Sequence, residues 1–303
     1  MRPDFVKWNL SPGSQHFKFA RLIVLNSKVS GATGFSMRIF NRSFLEKYFP
    51  LRRNGDLRTW RRFQKHVRSR QPRLFSHLHL FPNSILVAGC QRSGTTLVTR
   101  LINRCEGMVD FRFGRDDELD AAQILCGYKP HTPSSGRYCF QTTYLNERYR
   151  EYLESTAKFQ LIWVIRKPSS VVYSLLYNWS DFALEELFET VGRQAIPDSA
   201  TTQGLTRLLK ACYCYNGKQS QLFELHRVLQ PERLMVIDYD RLMTESRLVV
   251  EALCEFISLP FSEGLVDMLD PSSLQKADRL STAEQAIVAR ICLPTYERAV
   301  MLA

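Results

Sequence analysis

The sequence predicts a three-layer α/β fold: a mostly parallel β-sheet with helices on both faces, plus a mainly helical N-terminal extension. Three observations carry this. From Phe81 onward, short apolar runs alternate with segments of helical periodicity. The runs Ser84-Ile85-Leu86-Val87-Ala88 and Leu161-Ile162-Trp163-Val164-Ile165 lack polar alternation, as parallel strands buried on both faces do. Each run then passes through a turn into a helix. The chain's 303 residues, 45% of them hydrophobic, suffice for a sizeable core.

Residues 1–80 read as the extension and 81–303 as the main domain. The extension gathers Arg52, Arg53, Arg58, Arg61, Arg62, Lys65, Arg68, Arg70 and Arg73, and Leu57 to Val67 has amphipathic helical spacing. Such a helix packs on the main domain with a solvated basic face; peripheral membrane contact is the minority reading. Past the first strand, Leu97, Val98, Leu101, Ile102 and Cys105 recur at helical spacing. Met108-Val109-Asp110-Phe111 reads as a second strand, followed by the acidic turn Arg115-Asp116-Asp117-Glu118 and a helix through Ala121, Ile124 and Leu125. After a Pro/Gly loop over 129–136, Tyr138 to Thr142 reads as a third strand, and a helix through Leu145, Tyr149 and Leu153 follows. Leu161 to Ile165 is the fourth strand. Pro168 suits the first turn of the helix carrying Val171, Val172, Leu175 and Leu176. A long helix over 203–229, a last strand at Leu234 to Ile237 and further helices complete the chain.

The net charge of +11 calls for an anionic partner, but the solvated reading of the basic run keeps nucleic acid from being the expected one. The eight cysteines form no CxxC pair, which argues against a zinc ribbon or a thioredoxin-like site, and no metal is expected. With no leading apolar segment of signal-peptide length, the expectation is a soluble, cytoplasmic protein with reduced thiols. Nothing indicates the oligomeric state.

Gly89-Cys90-Gln91-Arg92-Ser93-Gly94-Thr95-Thr96 joins the first strand to its helix through a glycine-bounded turn. Such a P-loop-type turn aims backbone N–H groups and a helix N-terminus at one point, where a phosphate or sulfate fits. Arg92, Ser93, Thr95 and Thr96 add a guanidinium and hydroxyls. In an open parallel sheet ligands bind beyond the carboxyl ends of the strands, where Arg166, Asp238 and Tyr239 also fall. Ser174, two helical turns beyond Arg166, can face the same ligand. Two separated anion sites suit a nucleotide with phosphates on both sides of its ribose.

On these residues the chain resembles sulfotransferases that use 3′-phosphoadenosine 5′-phosphosulfate (PAPS). Gly89 to Leu97 looks like their 5′-phosphosulfate loop, and Trp163 to Ser174 like their 3′-phosphate motif. Val236-Ile237-Asp238-Tyr239-Asp240-Arg241-Leu242 and Phe256-Ile257-Ser258-Leu259-Pro260 resemble two later segments, so the likeness spans about 81–303. It implies a P-loop-type sheet and in-line sulfuryl transfer from PAPS to a hydroxyl or amine of a carbohydrate, lipid, peptide or small molecule. It also implies that Arg92 to Thr96 hold the phosphosulfate, with Arg92 neutralising the leaving phosphate. Arg166 and Ser174 would hold the 3′-phosphate, Tyr239 would wall the pocket, and Lys276 and Arg279 would close over the nucleotide.

One departure stands out. Related enzymes often carry a catalytic glutamate before a lysine on the third strand, where this chain has Phe140-Gln141 and so neither of them. The acidic turn is the substitute, with Asp116 and Asp117 as base, Glu118 as a third candidate and His131 as runner-up; acidic residues there also suit a helix cap. This places the chain closer to the carbohydrate and protein-tyrosine sulfotransferases than to the cytosolic small-molecule type. Two other readings stay open. A P-loop kinase or NTPase would use Asp238 for magnesium, against which Thr95 stands in place of the motif lysine. A non-catalytic nucleotide-binding module would bind polyanions through the basic extension.

Overall fold

The structure is a computed structural model that describes residues 63–109, 117–198 and 204–303, all within one compact unit, Phe49–Ala303. Four strands, β1 (Ser84–Gly89), β2 (Cys139–Gln141), β3 (Phe159–Ile165) and β4 (Leu234–Asp238), form an all-parallel sheet in the order β2-β1-β3-β4. The helices in chain order are α1 (Thr95–Asn103), α2 (Asp117–Leu125), α3 (Glu151–Glu154), α4 (Pro168–Tyr177), α5 (Asp181–Thr190) and α6 (Arg207–Val228). They continue with α7 (Tyr239–Thr244), α8 (Ser246–Phe256), α9 (Glu263–Val266) and α10 (Thr282–Val300).

Strand pleating sends alternate side chains into two cores. Ile85, Val87, Ile162, Val164 and Ile237 pack on one face with α1 and α8 residues such as Val98, Leu101 and Leu253. Leu86, Ala88, Leu161, Trp163, Ile165 and Val236 pack on the other with Val171, Leu175, Leu222 and Leu225 of α4 and α6. The continuously apolar runs predicted this two-sided burial. Phe63 and Val67 join the second core, and the buried guanidinium of Arg68 meets Glu147 and Glu186 there. Burial lowers the pKa of Arg68 to about 10.

One expected element lies partly outside the described residues, and one differs. Of Met108–Phe111, read as a strand, only Met108 and Val109 are described, and Met108 makes a single bridge to Arg137. The helix expected through Leu145 and Leu153 is instead a tight irregular turn, Thr143–Arg148, followed by the short α3. Asn146, at φ 39° and ψ −116°, breaks the helical course, and its carbonyl accepts from Gln221 Nε2 at 2.9 Å.

Candidate functional site

The glycine turn sits at the carboxyl edge, as the motif predicts. Gly89 has φ 144°, and a Cβ there would lie 2.4 Å from the Val164 carbonyl, so only glycine lets β1 end this close to β3. Gly94 has φ 104°, and its Cβ would enter the Tyr239 ring at 2.2 Å. The absent side chain is thus what seats Tyr239 on the loop. Arg92 also takes a positive φ, 73°, turning its side chain across the sheet edge. Intrahelical bonding of α1 starts with the Leu97 N–H on Gly94, so the earlier amides lie at the open helix end. The Ser93 hydroxyl ties the loop to itself, donating to the Cys90 carbonyl at 2.7 Å.

Register brings the second group alongside. Ile165 pairs with Asp238, so Arg166 and Tyr239 leave the sheet side by side. The Arg166 guanidinium lies over the Tyr239 ring, 4.3 Å from its centroid. Arg92 Nε donates to Ser174 Oγ at 3.0 Å, so residues 82 apart in sequence meet. Arg166 is 3% exposed; its Nη2 donates to the Ser273 carbonyl at 2.6 Å, while its buried Nε has no partner. Burial lowers the Arg166 pKa, opposed by Tyr239 and Asp240. It lowers that of Arg92 as well, where Arg166 adds repulsion and Glu118 partly offsets it. Two crowded guanidinium groups and an idle donor are what an anion would relieve.

Around the loop threonines the chemistry is different. Thr96 Oγ1 donates to Gln141 Oε1 at 3.0 Å, and Gln141 Nε2 donates to Thr95 Oγ1 at 3.2 Å and to Glu118 Oε2 at 3.0 Å. The Thr143 hydroxyl holds the other oxygen of Glu118. Beneath lies Lys218, 2% exposed, which donates to the Thr143 carbonyl at 3.0 Å.

Of the other candidates, Asp116 and the side chains of Asp117 and Lys276 lie outside the described residues. Arg279 is exposed, 6.0 Å from the Tyr173 ring centroid. His131 stacks on Phe81 and meets Tyr138 edge-on, residues that precede β1 and β2, so it lies at the opposite edge from the loop. That placement removes it as runner-up base. Asp238, the magnesium candidate, accepts from the Asp240 N–H at 2.9 Å and the Tyr296 hydroxyl at 2.9 Å. It caps α7, and both oxygens are engaged. Sequence reasoning missed Ser273, which carries no motif, and Gln141, whose only signal was standing where the resembled enzymes carry a lysine.

No curated protein matches the sequence. Among solved structures, a sulfotransferase domain from the curacin biosynthetic pathway is similar at 15% identity and TM-score 0.45, covering 73% of this chain and 97% of that one. A mouse sulfotransferase, SULT7A1, complexed with PAP gives 11% identity, TM-score 0.45 and coverage of 77% and 93%. A sulfotransferase from Alicyclobacillus acidocaldarius gives 14%, 0.43, and 73% and 95%. At these values the structural likenesses carry no argument. The family described as "Sulfotransferase domain" matches residues 82–286, more than half of the chain. The chain belongs to the sulfotransferase domain family, enzymes of sulfuryl transfer.

Proposed function

We propose that the sulfuryl donor is PAPS and the acceptor a hydroxyl or amine. One observation carries this reading: Arg92, Arg166 and Ser174 converge at the carboxyl edge, with the buried Nε of Arg166 unpartnered. PAPS, when bound, supplies an activated sulfuryl group. Gly94, Thr95, Thr96 and the amino end of α1 bind its 5′-side, with Ser93 bracing the loop. Arg92 neutralises charge on the departing phosphate, Arg166 and Ser174 take the 3′-phosphate, and Tyr239 walls the pocket. These side chains supply the positive charge, so the reading needs no metal.

Asp116 and Asp117 remain the base candidates favoured by sequence. Glu118 is the carboxylate of that turn whose described surroundings support the role, because it is wired to the loop through Gln141. A base in the acidic turn supports kinship with the carbohydrate and protein-tyrosine type. The division into a basic extension over 1–80 and a catalytic domain over 81–303 belongs to the same proposal. So does a cytoplasmic site, supported by eight free, buried cysteines; among the described residues no helix is long and apolar enough to cross a membrane.

Thermal stabilisation tests the donor. PAP should stabilise the chain well beyond ADP or ATP at equal concentration, since only PAP offers a 3′-phosphate to Arg166. Equal shifts from all three would overturn the assignment.

A further inference from the structure

Gln141 has no role in the reading above, yet it is the side chain through which the loop and Glu118 meet. It closes β2, is 9% exposed, and makes three bonds: one accepted from Thr96, one donated to Thr95, one donated to Glu118. The amide's orientation is fixed by its neighbours. A carboxylate only accepts, so the NH2 end faces Glu118 and the oxygen is left for Thr96. Two residues on, Thr143 holds the second oxygen of Glu118, and its carbonyl takes Gln91 Nε2 at 3.1 Å and Lys218 Nζ at 3.0 Å. Asn146 Oδ1 accepts from the same Gln91 nitrogen at 3.0 Å. The carboxylate is thereby gripped from one short segment that is itself bonded to the loop.

We propose that Gln141 is a positioning residue: its amide sets the Glu118 carboxylate at a fixed distance from the loop hydroxyls of Thr95 and Thr96. The acceptor's proton then passes to Glu118 while the acceptor atom bonds to sulfur; the electron pair of the breaking sulfur–oxygen bond stays on the departing phosphate. The inference rests on the proposed base and nucleotide site. It also explains why position 141 suits an amide rather than a second carboxylate. A carboxylate at 141 would face Glu118 at about hydrogen-bond distance, where like charges force a pair to share a proton. An apolar residue there would leave Glu118 and both threonines short of partners. Only an amide of this length donates twice and accepts once.

The test uses the full chain and PAP as probe. In Gln141→Glu, the dissociation constant for PAP, divided by the wild-type value at the same pH, should fall about fivefold or more from pH 8 to pH 6, as the paired carboxylates take up a proton. Combining it with Glu118→Gln leaves one carboxylate, and the ratio should become flat. A flat ratio in the single variant overturns the proposal. Should that variant not fold, Gln141→Met keeps length without hydrogen bonds. Its PAP affinity should stay within about threefold of wild type while release of labelled sulfate from PAPS to water slows about tenfold or more. Unchanged release overturns the proposal. Wild-type protein that binds PAP no better than ADP would instead sink the underlying nucleotide reading.

Discussion

Arg137 and Arg166 lie at opposite edges of one sheet and spend their charge differently. Arg137, just before β2, donates to the carbonyls of Asn83 and Ile257 and to the side chain of Gln160. Each of its three nitrogens serves the fold. Arg166, just after β3 and far less exposed, places one nitrogen on Ser273 and leaves Nε idle. A buried cation that the fold does not satisfy is held for something the fold does not contain. The sheet is thus braced at its amino edge and left electrostatically incomplete at its carboxyl edge, where parallel sheets bind ligands.

The largest expected effect breaks or upholds this contrast. Arg166→Ala should weaken PAP binding about a hundredfold with little loss of stability, since a charge-assisted phosphate grip disappears while an unmet burial cost is relieved. Arg137→Ala should do the reverse: about 2–3 kcal/mol of stability lost, because three acceptors lose their donor, with PAP affinity kept. Denaturant unfolding and PAP titration of both variants check it. Equal stability losses would end the comparison.

A smaller effect separates the loop's shape from its contacts. Gly94→Ala meets both a positive φ and the Tyr239 ring, and should cost about 2 kcal/mol along with about tenfold in PAP affinity. Gly204, at φ 73°, has open space around its Cβ, so Gly204→Ala carries the backbone strain alone, about 1 kcal/mol, and leaves PAP binding unchanged. If the two variants match, Tyr239 is not seated by the loop.

These residues also show what could be read from sequence. The loop, Arg166 and Ser174 were legible because local spacing fixes them: a glycine-bounded turn after an apolar strand, and two helical turns between arginine and serine. β1 and β3 were legible because burial on both faces removes polar alternation. The turn at Asn146 was not, since its side chain answers to Gln91, 55 residues away, and its carbonyl to Gln221, 75 away. Ser273 meets Arg166 across 107 residues. Gln141 could be read only as a missing lysine, because its meaning depends on a carboxylate from another element. Lys218 was hidden in a 22-residue helix whose apolar and polar positions are buried alike.

Lys218 supplies the finest test of the comparison, because it too is a buried cation near the loop with more donors than partners. Burial holds its pKa down at about 8, against an ordinary 10.5. Below pH 8 the ammonium is charged whether the chain is folded or not, and the folded state bears the whole cost of burying it. Between about pH 8 and 10.5 the folded chain sheds the proton first and the cost fades. Lys218→Met should therefore be more stable than wild type at pH 7 by about 1–2 kcal/mol, the margin shrinking toward pH 10.5. Taking the difference between the proteins removes the titrating cysteines and tyrosines that Lys218 does not touch, leaving only Cys90 and Cys214 among the thiols it influences. The Thr143 carbonyl keeps the Gln91 donor in the variant, so no acceptor is orphaned. If Lys218 only supports the loop from below, PAP affinity should stay within about threefold of wild type, far from the hundredfold expected at Arg166. A loss comparable to that of Arg166→Ala would make Lys218 a third cation of the nucleotide site and move the boundary between bracing and binding one layer deeper.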